Sequence, residues 1–222
     1  MNRNLMRPLL PVLAASTLLL GLSACAPLVV GGAVATAVVA TDRRTAASQL
    51  EDESIELKVG NAVRQNMGDR VHVNVTSFNR RVLLTGEVTT AQEKTTVERL
   101  ARSQDNVREV INDLGLGPAS SLTNRSKDLV ITSRMRAALI DAKDLQVNAF
   151  GVTTERGVIY LMGRVTEREA KRATEIATSI SGVAKVVRVF EIISEEELRR
   201  LSPPPGQTVR SATPAPAATP AR

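Results

Sequence analysis

Aromatic side chains are nearly missing from this 222-residue chain, which has three Phe, one Tyr and no Trp. Binding of single-stranded nucleic acid depends on rings for bases to stack on, and a carbohydrate cleft is lined by them as well. The composition argues against both. The catalytic inventory is as thin, with one His and one Cys and no G-x-S-x-G, H-E-x-x-H or Gly-rich phosphate loop. Carboxylates are scattered singly or fall on helix surfaces, and no two form an acid/base pair. His72 lies in V-H-V-N-V (71–75), where alternation puts Val71, Val73 and Val75 on a core face and His72 with Asn74 on the other. It reads as an exposed polar strand residue. The expectation is a non-enzymatic protein with no catalytic residues, no metal and no cofactor.

What is present begins at the N-terminus. Arg3 and Arg7 precede an apolar run from Leu9 to Leu22, closed by Leu22-Ser23-Ala24-Cys25. A basic start, an apolar stretch and small residues before a cleavage point mark a secretory signal peptide. The cysteine makes L-S-A-C resemble the lipobox of bacterial lipoproteins, which implies that Cys25 becomes the acylated N-terminus. One acyl chain binds a membrane only marginally, at ~0.8 kcal/mol per buried CH₂, whereas several hold firmly. With Ala26 rather than Asp after the cysteine, the resemblance implies an outer-membrane, lipid-anchored protein facing the periplasm. Disulfides are permitted in that compartment, but lipidation consumes the single thiol. Secretion also removes nucleic acid as a partner. Loss of residues 1–24 leaves 27 basic against 23 acidic groups, a net +4. Anionic phospholipid is the natural partner of a basic protein held at a membrane.

An internal duplication organises the rest. Ile55, Val59 and Val63 are spaced by four, and Ile131, Met135 and Leu139 repeat that spacing 76 residues later. V-H-V-N-V (71–75) answers to L-Q-V-N-A (145–149), and V-L-L-T-G-E-V-T (82–89) to I-Y-L-M-G-R-V-T (159–166), with Gly86 matching Gly163. T-A-Q-E (90–93) and T-E-R-E (166–169) are capping boxes. V-R-E-V-I (107–111) answers to V-A-K-V-V (183–187), and about three extra residues are expected in the second copy's turn (T-T-E-R-G against N-R). Each copy is predicted to run helix, strand, strand, helix, strand. The first helices fall at 54–65 and 126–142, the strand pairs at 71–78 with 82–88 and 145–153 with 158–165, and the last strands at 107–114 and 183–193. The predicted class is α+β: two αββαβ domains, each a three-stranded mixed sheet with two helices on one face. The predicted organisation is a signal peptide (1–24), a lipidated tether (25–51), domain 1 (52–116), a Gly/Pro/Ser linker (117–125) and domain 2 (126–193). A short helix (194–202) and a disordered Pro/Ala-rich tail (203–222) follow.

The αββαβ copies, each with a glycine after an apolar strand, resemble BON domains. Lipobox, T-D-R-R-T, I-T-S-R-M-R-A-A-L-I and L-M-G-R-V-T-E-R-E-A-K (161–171) together resemble dual-BON outer-membrane lipoproteins over residues 25 to about 193. The resemblance implies a protein that binds anionic, phosphatidylglycerol-like phospholipid, supports outer-membrane integrity and concentrates at the division site. It also implies a link to the machinery that assembles outer-membrane proteins. Lipid contact in that family resembles a surface on the first helix of the second copy. At 100° per residue, Ile131, Met135, Ala138, Leu139 and Ala142 form the core stripe, and Val130, Ser133, Arg134, Ala137, Ile140 and Asp141 face away. The lipid-binding residues expected are Val130, Arg134, Arg136, Ala137 and Ile140: aliphatics that dip below the headgroups beside guanidiniums that hold phosphate. At Val130 the chain departs from a family member that carries Trp.

Charge separates the copies. Residues 52–116 carry 9 basic and 10 acidic groups, net −1, and residues 126–193 carry 11 and 8, net +3. The second copy is the better suited to an anionic surface. Two matters stay open at this level. Val158, Tyr160 and Met162 make an apolar sheet back that packs on the other copy or on a partner. The alternative function is an adaptor that binds assembly partners without touching lipid.

Overall fold

The computed structural model describes residues 42–201; the signal peptide, Cys25, most of the tether and the Pro/Ala tail lie outside the described residues. Ile55, Val59, Val63 and Met67 line the buried face of α1 (Ala46–Met67). Their four-residue spacing places them along one side of a helix. Antiparallel β1 (His72–Phe78) and β2 (Arg81–Val88) follow, then α2 (Ala91–Arg102), which returns the chain to β3 (Glu109–Asn112), parallel to β2. The two-residue β4 (Gly115–Leu116) prolongs that edge of β2 after a break. The second copy repeats the order with α3 (Leu122–Asp141), β5 (Phe150–Glu155), β6 (Val158–Val165), α4 (Glu167–Ser179) and β7 (Lys185–Ile192). A short α5 (Glu195–Leu201) ends the described chain. The α+β class, the mixed sheets and the helix pairs are as predicted.

Both capping boxes form: Thr90 and Thr166 accept from the N–H of Glu93 and Glu169, whose carboxylates bond back to the threonine N–H groups. Gly86 and Gly163 sit at equivalent positions in the central strands. A Cβ on either would lie 2.1 Å from the His72 carbonyl oxygen or 2.4 Å from that of Ala149, so only glycine fits.

Three expectations need correction. Helices α1 and α3 start earlier than the apolar period indicates, because Thr45 and Ser121 cap them by accepting from the Ser48 and Asn124 N–H groups. The stretch 145–149 is not the counterpart of V-H-V-N-V. Val147–Ala149 form a 3-10 turn, and β5 begins only at Phe150. Leu145, Val147 and Ala149 satisfy a period of two, yet the fully buried pair is Leu145 with Ala149, spaced by four. Nor are there extra residues in the hairpin. Both turns have two residues with positive φ, Asn79 with Arg80 and Arg156 with Gly157, the geometry that suits the strand twist. The second copy's extra length lies before β5, at residues 142–149, where the first copy has only 68–71.

Each sheet's front face packs on its own two helices, the first copy around Ile55, Val59, Leu84 and Val97, the second around Met135, Leu139, Leu161 and Ala173. The sheet backs meet each other. Phe78, Leu83, Tyr160, Met162 and Val189 form one buried cluster, with Ile111, Val158 and Val187 at its edge. The apolar back of the second copy is thus covered within the chain.

Candidate membrane interface

The outward face of α3 is unusual for a helix of a soluble domain. Leu122, Leu129, Val130 and Ile140 are 79, 68, 48 and 66 % exposed. Arg134, Arg136 and Ala137 are exposed as well, so the five residues predicted from sequence share the solvent side. At 100° per residue Leu122, Leu129 and Ile140 fall on one line, with Ala137 and Val130 beside it. Cations flank this ridge, Arg136 and Arg125 on one side and Lys127 and Arg134 on the other. Among the described residues, none of Lys127, Arg134 and Arg136 pairs with a carboxylate; Arg134 makes only a long 3.4 Å bond to the Ser181 carbonyl. Leu122 and Leu129 were missed. Leu122 precedes the helix start that the apolar period indicates, and Leu129 lies off the stripe directly opposite the core.

The ridge lies between two open clefts. One, of about 530 Å³, is lined by Lys127, Val130, Arg134, Arg156 and the Ser181-Gly182 turn. The other, of about 390 Å³, brings Arg136 and Ile140 together with Asp42 and Arg44. Asp42 and Arg44 therefore meet the fold beside the C-terminal half of α3.

A strap fixes that meeting point. Arg43, from the T-D-R-R-T segment, is buried and gives two hydrogen bonds, at 2.8 and 2.7 Å, to the Glu169 carboxylate and one of 2.8 Å to the Arg164 carbonyl. Burial alone would push the Glu169 carboxyl up, but Arg43 and the Thr166 N–H outweigh it and hold the group below the usual carboxylate range. Arg44 turns the other way, pairing with Asp42 and Asp52 and lying 4.1 Å over the Phe78 ring. Consecutive arginines thus bind opposite copies.

Two buried aspartates hold the hairpins. Asp52 accepts from the Asn79 and Arg80 N–H groups at 2.8 and 2.7 Å and from the Ser77 hydroxyl. Asp128, its counterpart on α3, accepts from the Arg156 and Gly157 N–H groups at 2.9 and 2.8 Å. The sequence signal was available: D-x-x-I occurs in both copies, placing an acid on each core stripe.

His72 is not an exposed polar residue. Its ring is half-buried where the copies meet, with Nδ1 2.9 Å from Glu87. Beside it, Asn74 donates to Glu155 at 2.6 Å. Burial pushes the Glu155 carboxyl up. At Glu87 burial acts the same way but is overcome by the Ser120 N–H, His72 and Arg156, which hold it low. Alternation reported that His72 leaves its own core correctly, but the second domain lies on the other side.

Residues 51–118 and 127–194 each match the BON domain family. The chain belongs to the BON-domain family. It is 37 % identical over 174 residues to the outer membrane lipoprotein DolP of Haemophilus influenzae, covering 78 % of this chain and 90 % of that protein. It is 27 % identical over 154 residues to a 21 kDa hemolysin of Actinobacillus pleuropneumoniae, covering 68 % of this chain and 79 % of the relative. Among solved structures, CdsD, a structural protein of the type III secretion system of Chlamydia trachomatis, covers 65 % of this chain and 95 % of its own at 12 % identity. Its TM-score is 0.27, a likeness that carries no argument. The exposed ridge described above lies on the first helix of the second BON domain.

Proposed function

We propose that this chain is an outer-membrane lipoprotein, anchored through an acylated Cys25 and facing the periplasm, that binds anionic phospholipid through α3 of its second BON domain. Val130 and Ile140 insert, Ala137 lets the helix approach closely, and Arg134 and Arg136 hold headgroup phosphates. The observation that carries the reading is the exposed aliphatic ridge flanked by Lys127, Arg134 and Arg136, which have no carboxylate partner among the described residues. Apolar side chains gain by entering the acyl boundary, and guanidiniums bind phosphate in a geometry that ammonium groups do not match. Leu122 and Leu129 extend the surface along the helix. The strap adds support, because residues 42–44 join the fold next to Ile140 and Arg136. Sixteen residues lie between Cys25 and Asp42, a reach of at most about 60 Å. Anchor and ridge can therefore engage one bilayer. The kinship to an outer membrane lipoprotein is consistent with this placement, and a contribution to envelope integrity at the division site follows as the larger role.

Exposed apolar sheet backs would favour the adaptor reading, but these cover one another. Assembly machinery remains a partner for other surfaces of the first domain. Co-sedimentation with phosphatidylglycerol vesicles tests the lipid reading: the wild type pellets with them and not with phosphatidylcholine. An intact protein that stays in solution with both refutes it.

A further inference from the structure

The His72 cluster lies apart from the membrane face and has the makings of a site. His72 on β1 and Glu87 on β2 come from the first domain, and Glu155 comes from the end of β5 in the second. One ligand atom from each lies within 4.8 Å of the others. The Glu87 and Glu155 side chains are only 5 and 3 % exposed. Among the described residues, each keeps one oxygen, Oε1, buried and without a hydrogen-bond partner. The opposite oxygens are held in place, Glu87 Oε2 by the Ser120 N–H and Glu155 Oε2 by Asn74. Both free oxygens are therefore positioned by bonds their carboxylates already make, as in metal sites whose ligands are oriented from behind.

We propose that His72, Glu87 and Glu155 form a binding site for a divalent first-row cation such as Zn²⁺, which would join the two BON domains. One imidazole and two carboxylates are a donor set suited to such ions, with a fourth position left for water. Ligand atoms at about 2.0–2.2 Å from an ion can be at most about 4.3 Å apart, so the cluster closes on the ion by side-chain shifts of about 1 Å. Bound there, the cation turns a seam with two unsatisfied buried oxygens into a cross-link. Arg156 is the competing charge. Its Nη1 is 3.7 Å from Glu87 Oε1 and 3.2 Å from the Gly86 carbonyl. The side chain is one-third exposed, so it can swing out when an ion enters.

The test titrates ZnCl₂ into the untagged chain, purified from membranes in neutral detergent, and follows thermal unfolding and the imidazole proton resonances. With a single His in the chain, those resonances report His72 alone. The expected result is a rise in Tm of about 5 °C or more at 100 µM Zn²⁺, reversed by chelator, with a saturable shift of the His72 signals. His72→Gln and Glu155→Gln should each weaken binding at least tenfold, while Arg156→Gln tightens it severalfold. Unmoved His72 resonances at saturating Zn²⁺ in the wild type would overturn the site, and that readout needs no variant to fold. A Tm rise that survives both substitutions, or weaker binding in Arg156→Gln, would do the same.

Discussion

The two BON domains share a backbone plan and differ on one helix face. With the buried stripes of α1 and α3 aligned, Val130, Arg134, Arg136, Ala137 and Ile140 correspond to Ser54, Lys58, Gly60, Asn61 and Arg64. The positions that would enter a bilayer are therefore polar or charged in the first copy. Leu50 and Leu57 are exposed on α1 as well, but Glu53 stands one turn before Leu57. Duplication kept what the core requires, an isoleucine or equivalent every fourth residue, a buried aspartate and a strand glycine. It left the outer face free to diverge, because few side chains there pack against the core. The fold is thus held by one side of these helices, and the proposed function is carried on the other.

The largest difference expected between the copies concerns the capping boxes. Glu169 is buried under Arg43, whereas among the described residues Glu93 caps α2 with no such partner. Arg43→Ala leaves the buried carboxylate with only the exposed Arg168, 3.9 Å away, and should cost about 3 kcal/mol in chemical denaturation. Glu93→Ala should cost about 1 kcal/mol. Similar losses at the two sites would show that the strap does not clamp the second domain.

The hairpin aspartates come next. Asp52 holds two backbone N–H groups, a serine hydroxyl and Arg44, while Asp128 holds two N–H groups. Asp52→Ala should cost about 3 kcal/mol and Asp128→Ala about 2 kcal/mol. The reverse order in urea unfolding would mean that Arg44 adds nothing.

Membrane binding gives the sharpest contrast. Ile140→Glu should weaken binding to phosphatidylglycerol vesicles about tenfold, equivalent to about 1.4 kcal/mol, whereas Arg64→Glu at the matching site should change it less than about twofold. The stability of both should be untouched, since each position is exposed. Grafting the face, as Ser54→Val with Asn61→Ala and Arg64→Ile, should restore part of the binding to the Ile140→Glu protein. Equal losses from both single variants would indicate diffuse electrostatics instead of a ridge.

The smallest effect is a pH dependence. The Glu169 carboxyl is held below its ordinary value of 4.5, so its contribution is complete above that value and disappears as the pH falls through the lowered one. Arg43→Ala should flatten the acid limb of the stability profile. A limb unchanged by the substitution would assign it to other carboxylates.

The sequence alone determined the duplication, the α+β class, the capping boxes, the paired glycines and the exposure of Val130 and Ile140. The duplication follows from comparing segments of the chain, and the rest from residue spacing along one element, which helical and strand periods convert directly into faces. L-Q-V-N-A shows the limit of that method, since five residues fit a period of two and a period of four equally well, and only the core under α3 chose between them. Tertiary structure decided everything that depends on residues far apart in the chain. It sent Arg43 to Glu169 and Arg44 to Asp52, closed the two sheet backs on each other, and set His72 and Glu87 against Glu155. A strand pattern says which side of a sheet a residue occupies. What lies across from that side is fixed by packing between domains, and no period in either one encodes it.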